Sequence, residues 1–136
     1  MPFRSLLKWG LALAFLGFLL WVIALANRGE VAQWFGIVRT LPYGDKWGHI
    51  GLYGVLTLLF NWALGWRALS IGAWAQWGTI LVALFAVAEE MTQAWNPNRT
   101  LDIWDLAADA VGLVLATGIS LYLARLSGPA RGSAQH

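Results

Sequence analysis

Four long apolar runs, each broken by only a few polar side chains, divide the sequence. Trp9 to Ala26 carries no charge. Trp47 to Trp66 is interrupted by His49, Thr57 and Asn61, and Ala68 to Ala88 by Ser70, Gln76 and Thr79. Leu106 to Ala124 is interrupted by Asp109, Thr117 and Ser120. Each run is close to the ~20 residues that a helix needs to cross the hydrocarbon of a bilayer. The pattern predicts an all-α membrane protein with four transmembrane helices, at about residues 6–26, 47–66, 71–94 and 103–125, in an up-down bundle. The prolines support these limits. Pro2, Pro42, Pro97 and Pro129 all fall outside the runs, and proline breaks a helix interior. Trp9, Trp21, Trp47, Trp66, Trp74, Trp95 and Trp104 stand at or near the predicted ends, as interfacial indoles do. No strand-like alternation is sustained, and there is no clear internal repeat.

The connections differ in kind. In the first, Val31, Trp34, Phe35 and Val38 have i, i+3, i+4, i+7 spacing, with Arg28, Glu30, Gln33 and Arg39 elsewhere on the wheel. This predicts a short interfacial helix at about residues 29–39. The 66–72 connection is tight, and WNPNRTLDI at residues 95–103 is a turn by composition. One transmembrane domain over residues 1–126 is expected, followed by a disordered tail at 127–136 that lacks an apolar face.

Composition agrees with the pattern. The chain is 59% hydrophobic and 12% charged, where soluble domains carry roughly 25% charged residues. Mean hydropathy is +0.60. A net charge of +2, dispersed along the chain, gives no footprint for nucleic acid. The absence of cysteine excludes disulfides and thiol chemistry. Arg4 and Lys8 ahead of an apolar run ending in Ala24-Leu25-Ala26 also fit a cleaved signal peptide. The run's length, with Trp9 and Trp21 inside it, favours a retained helix. Arg4, Lys8, Arg67, Arg125 and Arg131 would lie on one side of the membrane, with Arg28, Arg39, Lys46 and Arg99 on the other. This places both termini in the cytoplasm of a multi-pass protein.

The polar residues that remain gather at one end. Asp45 and His49 open the second run, Glu89, Glu90 and Gln93 close the third, Arg99 lies in the turn, and Asp102, Asp105 and Asp109 open the fourth. An up-down bundle brings these ends together. Asp45, His49 and Tyr53 share a helix face, as do Glu90 with Gln93, and Asp105 with Asp109 and Gly112. Glu89 and Glu90 are about 100° apart on a helix and are expected to point differently. Six acids against Lys46 and Arg99 make a net charge near −4. Carboxylates beside hydrocarbon must be paired, wet or protonated. The plainer reading is that these groups pin helices together, with Asp45, Lys46 and Asp102 as solvated helix ends. Asp102 and Asp105 also suit a helix N-terminus. Asn61 and Gln76 read as structural helix contacts, and Gly44, Gly48, Gly51 and Gly54 as close packing.

The ordered motifs DKWGHIGLY, EEMTQ and RTLDIWDLAADAVG resemble the VanZ family of small bacterial membrane proteins. The matching positions are Asp45, Lys46, His49, Tyr53, Glu90, Gln93, Arg99, Asp105 and Gly112, over about Gly44 to Gly112. Asp109 departs from the family pattern, which usually has Asn there. The resemblance implies a polytopic protein of the bacterial inner (plasma) membrane. The named member is associated with resistance to teicoplanin, a lipid-tailed glycopeptide. The functional cluster expected is Asp45, Lys46, His49, Tyr53, Glu90, Gln93, Arg99, Asp105 and Asp109.

Three functions compete. The first is interaction of this polar site with membrane lipids or with a lipid-linked or amphiphilic envelope ligand, a glycopeptide among them. The second is acid/base or metal-assisted catalysis on a lipid-linked substrate. There, His49 acts as base with Asp105 or Glu90 on its other nitrogen. No complete metal motif is present, no metal ligand is assigned, and no cofactor is implied. The third is an accessory subunit of a homo- or hetero-oligomeric membrane complex, docked through small residues such as Gly10, Ala14 and Gly17.

Overall fold

The structure, a computed structural model, describes residues 2–128. It consists of helices α1 (Phe3–Asn27), α2 (Val31–Trp34), α3 (Gly36–Thr40), α4 (Gly44–Ala63), α5 (Trp77–Thr92) and α6 (Ile103–Ser127). A 3-10 turn, Gln93–Trp95, extends α5, and no strand occurs among the described residues. Glycine or proline marks most of the long helices' ends. Gly29 and Gly65 take φ of +71° and +69° just beyond α1 and α4. There Glu30 N–H donates to Leu25 O at 2.8 Å and Trp66 N–H to Asn61 O at 2.8 Å. Both are six-to-one bonds that satisfy a last-turn carbonyl. Pro97 follows the 3-10 turn and forces Asn96 into extended backbone.

Helix α4 is the hub, packed against α1, α5 and α6, with α6 its closest neighbour. Lys8 stands over the Trp62 ring and Trp9 meets Phe60 edge-on, so α1 runs antiparallel to α4. Tyr53 against Phe85 and Asn61 against Thr79 make α5 antiparallel too. His49 against Asp109 and Asn61 against Ser120 make α6 parallel. The up-down order therefore holds. The core is Leu19, Tyr53, Leu56, Val82, Ala86 and Leu113, with Phe15, Leu16 and Ile23 of α1 packed against it.

Small residues allow the close approach. A Cβ on Gly112 would stand 2.4 Å from Ile50 O, and one on Gly54 3.3 Å from Gly112 O. At the other end of α4, a Cβ on Gly78 would stand 2.3 Å from Asn61 Oδ1. That carbonyl instead accepts from Thr79 N–H at 3.1 Å. The Asn61 amide donates to Thr79 Oγ1 at 3.0 Å and Ser120 Oγ at 3.3 Å. Thr79 and Thr117 hydroxyls lie 2.7 Å apart. Asn61 is thus the helix contact its sequence position suggests.

Two helices, α1 and α6, are long and apolar enough to cross a membrane. Only 17% and 39% of their most apolar windows are buried, so neither is the enclosed core helix of a water-soluble domain. Leu11, Leu13 and Leu20 of α1 and Val114, Leu115 and Ile119 of α6 all face outward. The other two predicted spans do not meet that standard. Helix α5 has 16 residues, about 24 Å of rise against a hydrocarbon core of about 30 Å. Helix α4 has 20 residues, but its first six include Asp45, Lys46 and His49.

The structure moves several boundaries. The third helix begins at Trp77 rather than near residue 71, because residues 67–77 close on themselves. Leu69 N–H donates to Ala75 O at 2.8 Å and Trp77 N–H to Arg67 O at 3.0 Å. The expected interfacial helix at 29–39 is two short pieces broken at Phe35, whose φ and ψ are −128° and 41°. Aromatic contacts explain the break. Phe35 turns onto Phe18 and Trp21, and Trp34 meets Trp21 at 5.2 Å. Ser127, expected in a disordered tail, is the last residue of α6. The rest of that expected tail, from residue 129, lies outside the described residues.

The glycine contacts give a sharp expectation. Gly112→Ala should destabilise the protein by about 1–3 kcal/mol, as overpacking does. Gly48→Ala and Gly51→Ala, where an added Cβ meets nothing within 4 Å, should be neutral or stabilising by up to about 1 kcal/mol. Thermal melting of the three variants in one detergent checks this. Equal melting temperatures would mean that α4 and α6 are not held at backbone contact.

Candidate functional site

The parallel pairing of α4 and α6 sets both N-termini side by side. Lys46 on the first turn of α4 meets three carboxylates. Its Nζ donates to Asp45 Oδ2 at 2.9 Å, to Asp102 Oδ2 at 2.8 Å and to Asp105 Oδ1. One turn further in, His49 Nδ1 lies 2.7 Å from Asp109 Oδ1, and its Nε2 lies 3.7 Å from Asp105 Oδ2. Tyr53, a turn deeper, holds its ring nearly parallel to the imidazole at 6.0 Å. The sequence spacing of Asp45, His49 and Tyr53 thus becomes a ladder on α4, facing the Asp105 and Asp109 ladder on α6.

A second network lies at the end of α5. Gln93 Nε2 donates to Glu89 Oε2 at 2.9 Å and to Glu90 Oε2 at 3.0 Å. Glu89 and Glu90 were expected to point differently. The structure corrects this: Gln93 is i+4 from one and i+3 from the other, so a single amide holds both. Both glutamates are buried. Arg99 Nη2 lies 3.1 Å from Glu89 Oε1, off the line of a good hydrogen bond but at ion-pair distance. Arg99 Nη1 donates to Asn27 Oδ1 at 2.8 Å, and Asn98 Nδ2 to Asn27 O at 3.0 Å. The 96–102 turn is thereby tied to the end of α1.

One bond joins the two networks: Asp102 N–H donates to Glu90 Oε1 at 2.8 Å. All nine residues of the expected cluster therefore lie at one end of the bundle, eight of them in two linked networks and Tyr53 stacked beside His49. Three participants stood outside the expected set. Glu89 was legible through its i, i+4 spacing to Gln93. Asp102 was legible as a helix cap, and it accepts from Trp104 N–H at 2.9 Å besides holding Lys46. Asn27, at the far end of another helix, left no sequence signal.

Electrostatics explains much of the arrangement. Asp45, Asp102 and Asp105 stand at the N-termini of α4 and α6, where the helix dipole favours negative charge. Glu89 and Glu90 stand at the C-terminus of α5, where it does not, and Arg99 offsets them. Its hydrogen bond from Lys46 holds the Asp102 carboxyl below the usual aspartate range, and the Trp104 amide adds to this. The Lys46 hydrogen bond lowers Asp45 likewise, against the opposing effect of burial.

Two groups at this end have neither a hydrogen bond nor an ion-pair partner, whereas Glu89 Oε1 lacks the first but has Arg99. Asp109 Oδ2 and Tyr53 Oη are buried without a hydrogen-bond partner, on residues 1% and 2% exposed. Gln76 Oε1 is in the same condition in the loop at the other end of α5. An orphaned buried acceptor costs about 1–3 kcal/mol, more when charged. Among the described residues, no group of three His, Asp or Glu side chains has metal-binding geometry. No known family model matches the chain, and no curated protein or solved structure is significantly similar to it.

The lowered carboxyl of Asp102 has a pH consequence. In the folded state it binds fewer protons near pH 4 than in the unfolded chain, whose aspartates titrate near ~3.9. The stability from its pairing with Lys46 is complete above that value and is lost as pH falls through the depressed folded value. Lys46→Met should therefore lower the melting temperature most near pH 6, and the two proteins should converge toward pH 2.5. Parallel melting curves across that range would show that Lys46 contributes no ionic stabilisation.

Proposed function

We propose that this chain is a four-span membrane protein whose polar end receives the head group of an amphiphilic or lipid-linked envelope ligand. The observation that carries the reading is the pair of orphaned atoms, Asp109 Oδ2 and Tyr53 Oη, which have neither a hydrogen bond nor, as Glu89 Oε1 has in Arg99, an ion-pair partner. Buried polar groups are ordinarily satisfied, and exceptions call for a missing partner. The six acids there face three cationic groups, counting His49 as charged, so the surplus is negative. A head group with an ammonium or several N–H donors complements that surplus and supplies the hydrogen bond that Asp109 lacks. The phenol of Tyr53 can donate or accept.

The membrane arrangement is part of the proposal. Helix α5 with its 3-10 extension and α4 would form the second pair of spans, shortened by the polar end they help to build. Both termini would be cytoplasmic in a bacterial plasma membrane. Retention of α1 is supported by Leu19 in the core and Asn27 on Arg99. The VanZ resemblance of the residues at this end is in keeping with an envelope role, including resistance to teicoplanin-type lipoglycopeptides.

Catalysis is the second reading, and the His49–Asp109 pair at 2.7 Å favours it, since a carboxylate on one imidazole nitrogen orients the other as a base. Against it, the other nitrogen faces Asp105. A substrate would have to displace that carboxylate. Turnover of a lipid-linked substrate that His49→Gln abolishes, at unchanged melting temperature, would move this reading to first place.

The binding reading is tested with teicoplanin and with a long-chain primary amine, titrated against the detergent-solubilised protein by tryptophan fluorescence. Asp109→Asn keeps an oxygen for His49 but puts an amide donor where the free acceptor was. It should fold normally and weaken both probes by tenfold or more, the loss of one buried hydrogen bond to a charged group being about 1.5–3 kcal/mol. Tyr53→Phe should weaken binding less. Affinities unchanged in both variants would remove the proposal.

Topology has its own test. A cysteine at Asn98 should react with an impermeant reagent added outside intact cells, and one at Gly72 should be protected. The reverse pattern would invert the proposed orientation.

A further inference from the structure

The end of the bundle opposite the acids has a contrasting character. All seven acidic residues lie at or near the first end: Glu30, Asp45, Glu89, Glu90, Asp102, Asp105 and Asp109. The opposite end is formed by the start of α1, the 64–76 loop and the last turns of α6. Its charged groups among the described residues are Arg4, Lys8, Arg67 and Arg125, and no carboxylate pairs with any of them. Between α4 and α6 at this end lies an open groove of about 290 Å³, lined by Leu58, Leu59, Trp62, Trp66, Leu123 and Ser127.

The groove and the cations are contiguous. Lys8 Nζ sits 5.4 Å from the centroid of the Trp62 ring, which forms part of the wall. Arg67 follows Trp66 directly, and Arg125 lies between Leu123 and Ser127 on the last turns of α6. Both arginines are exposed. Trp66 is held at φ +61°, a left-handed conformation that bulky residues rarely adopt. The bond from its amide to Asn61 O fixes it there. Strain of this kind persists where surroundings impose it, often at ligand clamps.

We propose that this groove is a binding site for an anionic glycerophospholipid. One acyl chain lies along Leu58, Leu59 and Leu123, between the indoles of Trp62 and Trp66. The phosphate sits at the mouth, within reach of Lys8, Arg67 and Arg125. Unpaired arginines beside an apolar groove complement a phosphate diester joined to a hydrocarbon chain, and the guanidinium fork suits phosphate oxygens. A zwitterionic lipid offers the same chain but brings a cation into this positive field. This site is separate from the polar end and independent of the function proposed for it.

The test reconstitutes the protein in vesicles of equal phosphatidylglycerol and phosphatidylcholine with matched acyl chains. It is then extracted in mild detergent, and the retained lipid is counted by mass spectrometry. Phosphatidylglycerol should be enriched. Each of Arg67→Gln and Arg125→Gln should reduce the enrichment about fivefold, the effect of one cation near an anionic lipid surface. Arg28→Gln, a cation at the acidic end, should leave it unchanged. Leu123→Trp or Leu59→Trp, whichever melts like the wild type, should fill the groove and lower retention of both lipids. Equal retention of the two lipids by the wild type would overturn the proposal. So would a loss in Arg28→Gln equal to that in Arg67→Gln, which would mark general charge attraction. Enrichment that survives the filled groove would overturn it as well.

Discussion

The approach of α4 to α6 at Gly54 and Gly112 is the constraint on which the rest depends. In a bilayer, the setting proposed for this pair, helices gain little from burying apolar side chains against each other, because the tails are equally apolar. What holds them is close packing and polar contact, and both need the backbones near. With Gly112 against Ile50 O, the axes come close enough for short side chains to bridge them. The offset between partners is nearly constant along the pair: Lys46 with Asp105, His49 with Asp109, Asn61 with Ser120. One register, set where the glycines meet, therefore positions both the charged end and the hydroxyl-amide knot at the other. A larger residue at 112 would disturb the two together.

The same register sets the electrostatics. Parallel helices place two positive dipole ends together, and that is where Asp45, Asp102 and Asp105 collect. A single ammonium, Lys46, then serves three carboxylates at once. Taking charge out of water is expensive, so such a group survives only if its partners are close and numerous. Arg99 does the corresponding service at the end of α5 for Glu89. It also reaches Asn27, so the turn that carries it is fastened to α1 as well as to α5. The polar end is thus cross-linked across all four long helices.

Much of this was legible in the chain because helical spacing is a local property. The ladder of Asp45, His49 and Tyr53 could be read from its i, i+4 steps, as could the matching steps of Asp105, Asp109 and Gly112. The meeting of the two ladders followed from an up-down order and short loops. What could not be read depended on partners distant in sequence. Asn27 has no pattern of its own and acquires a role only when Arg99 arrives. Residues 68–76 are as apolar as a helix start, and only their mutual backbone pairing keeps them out of α5. Phe35 sits on a regular amphipathic wheel, yet its contacts with Phe18 and Trp21 break the helix the wheel implies. Periodicity reports which side is apolar and not whether a neighbour's aromatic surface will bend the backbone. Glu89 and Glu90 show the reverse error. The 100° rule for adjacent residues is correct for Cβ directions, but glutamate and glutamine are long enough to converge.

The two polar clusters of the bundle allow the plain structural role to be weighed against a functional one. In the cluster of Asn61, Thr79, Thr117 and Ser120, the amide of Asn61 is used on both sides and the threonine hydroxyls bond each other. Thr117 also returns its proton to Leu113 O at 2.7 Å. A group built only to join helices has reason to look like this, since every orphan subtracts from the stability it adds. The cluster of His49, Asp109 and Tyr53 uses the same helices in the same register and ends differently. It buries an ionisable oxygen and a phenol with nothing to bond. Asparagine at position 109 would keep the link to His49 without a charge, so helix joining alone does not account for the carboxylate. The ligand head group proposed for this end would account for it.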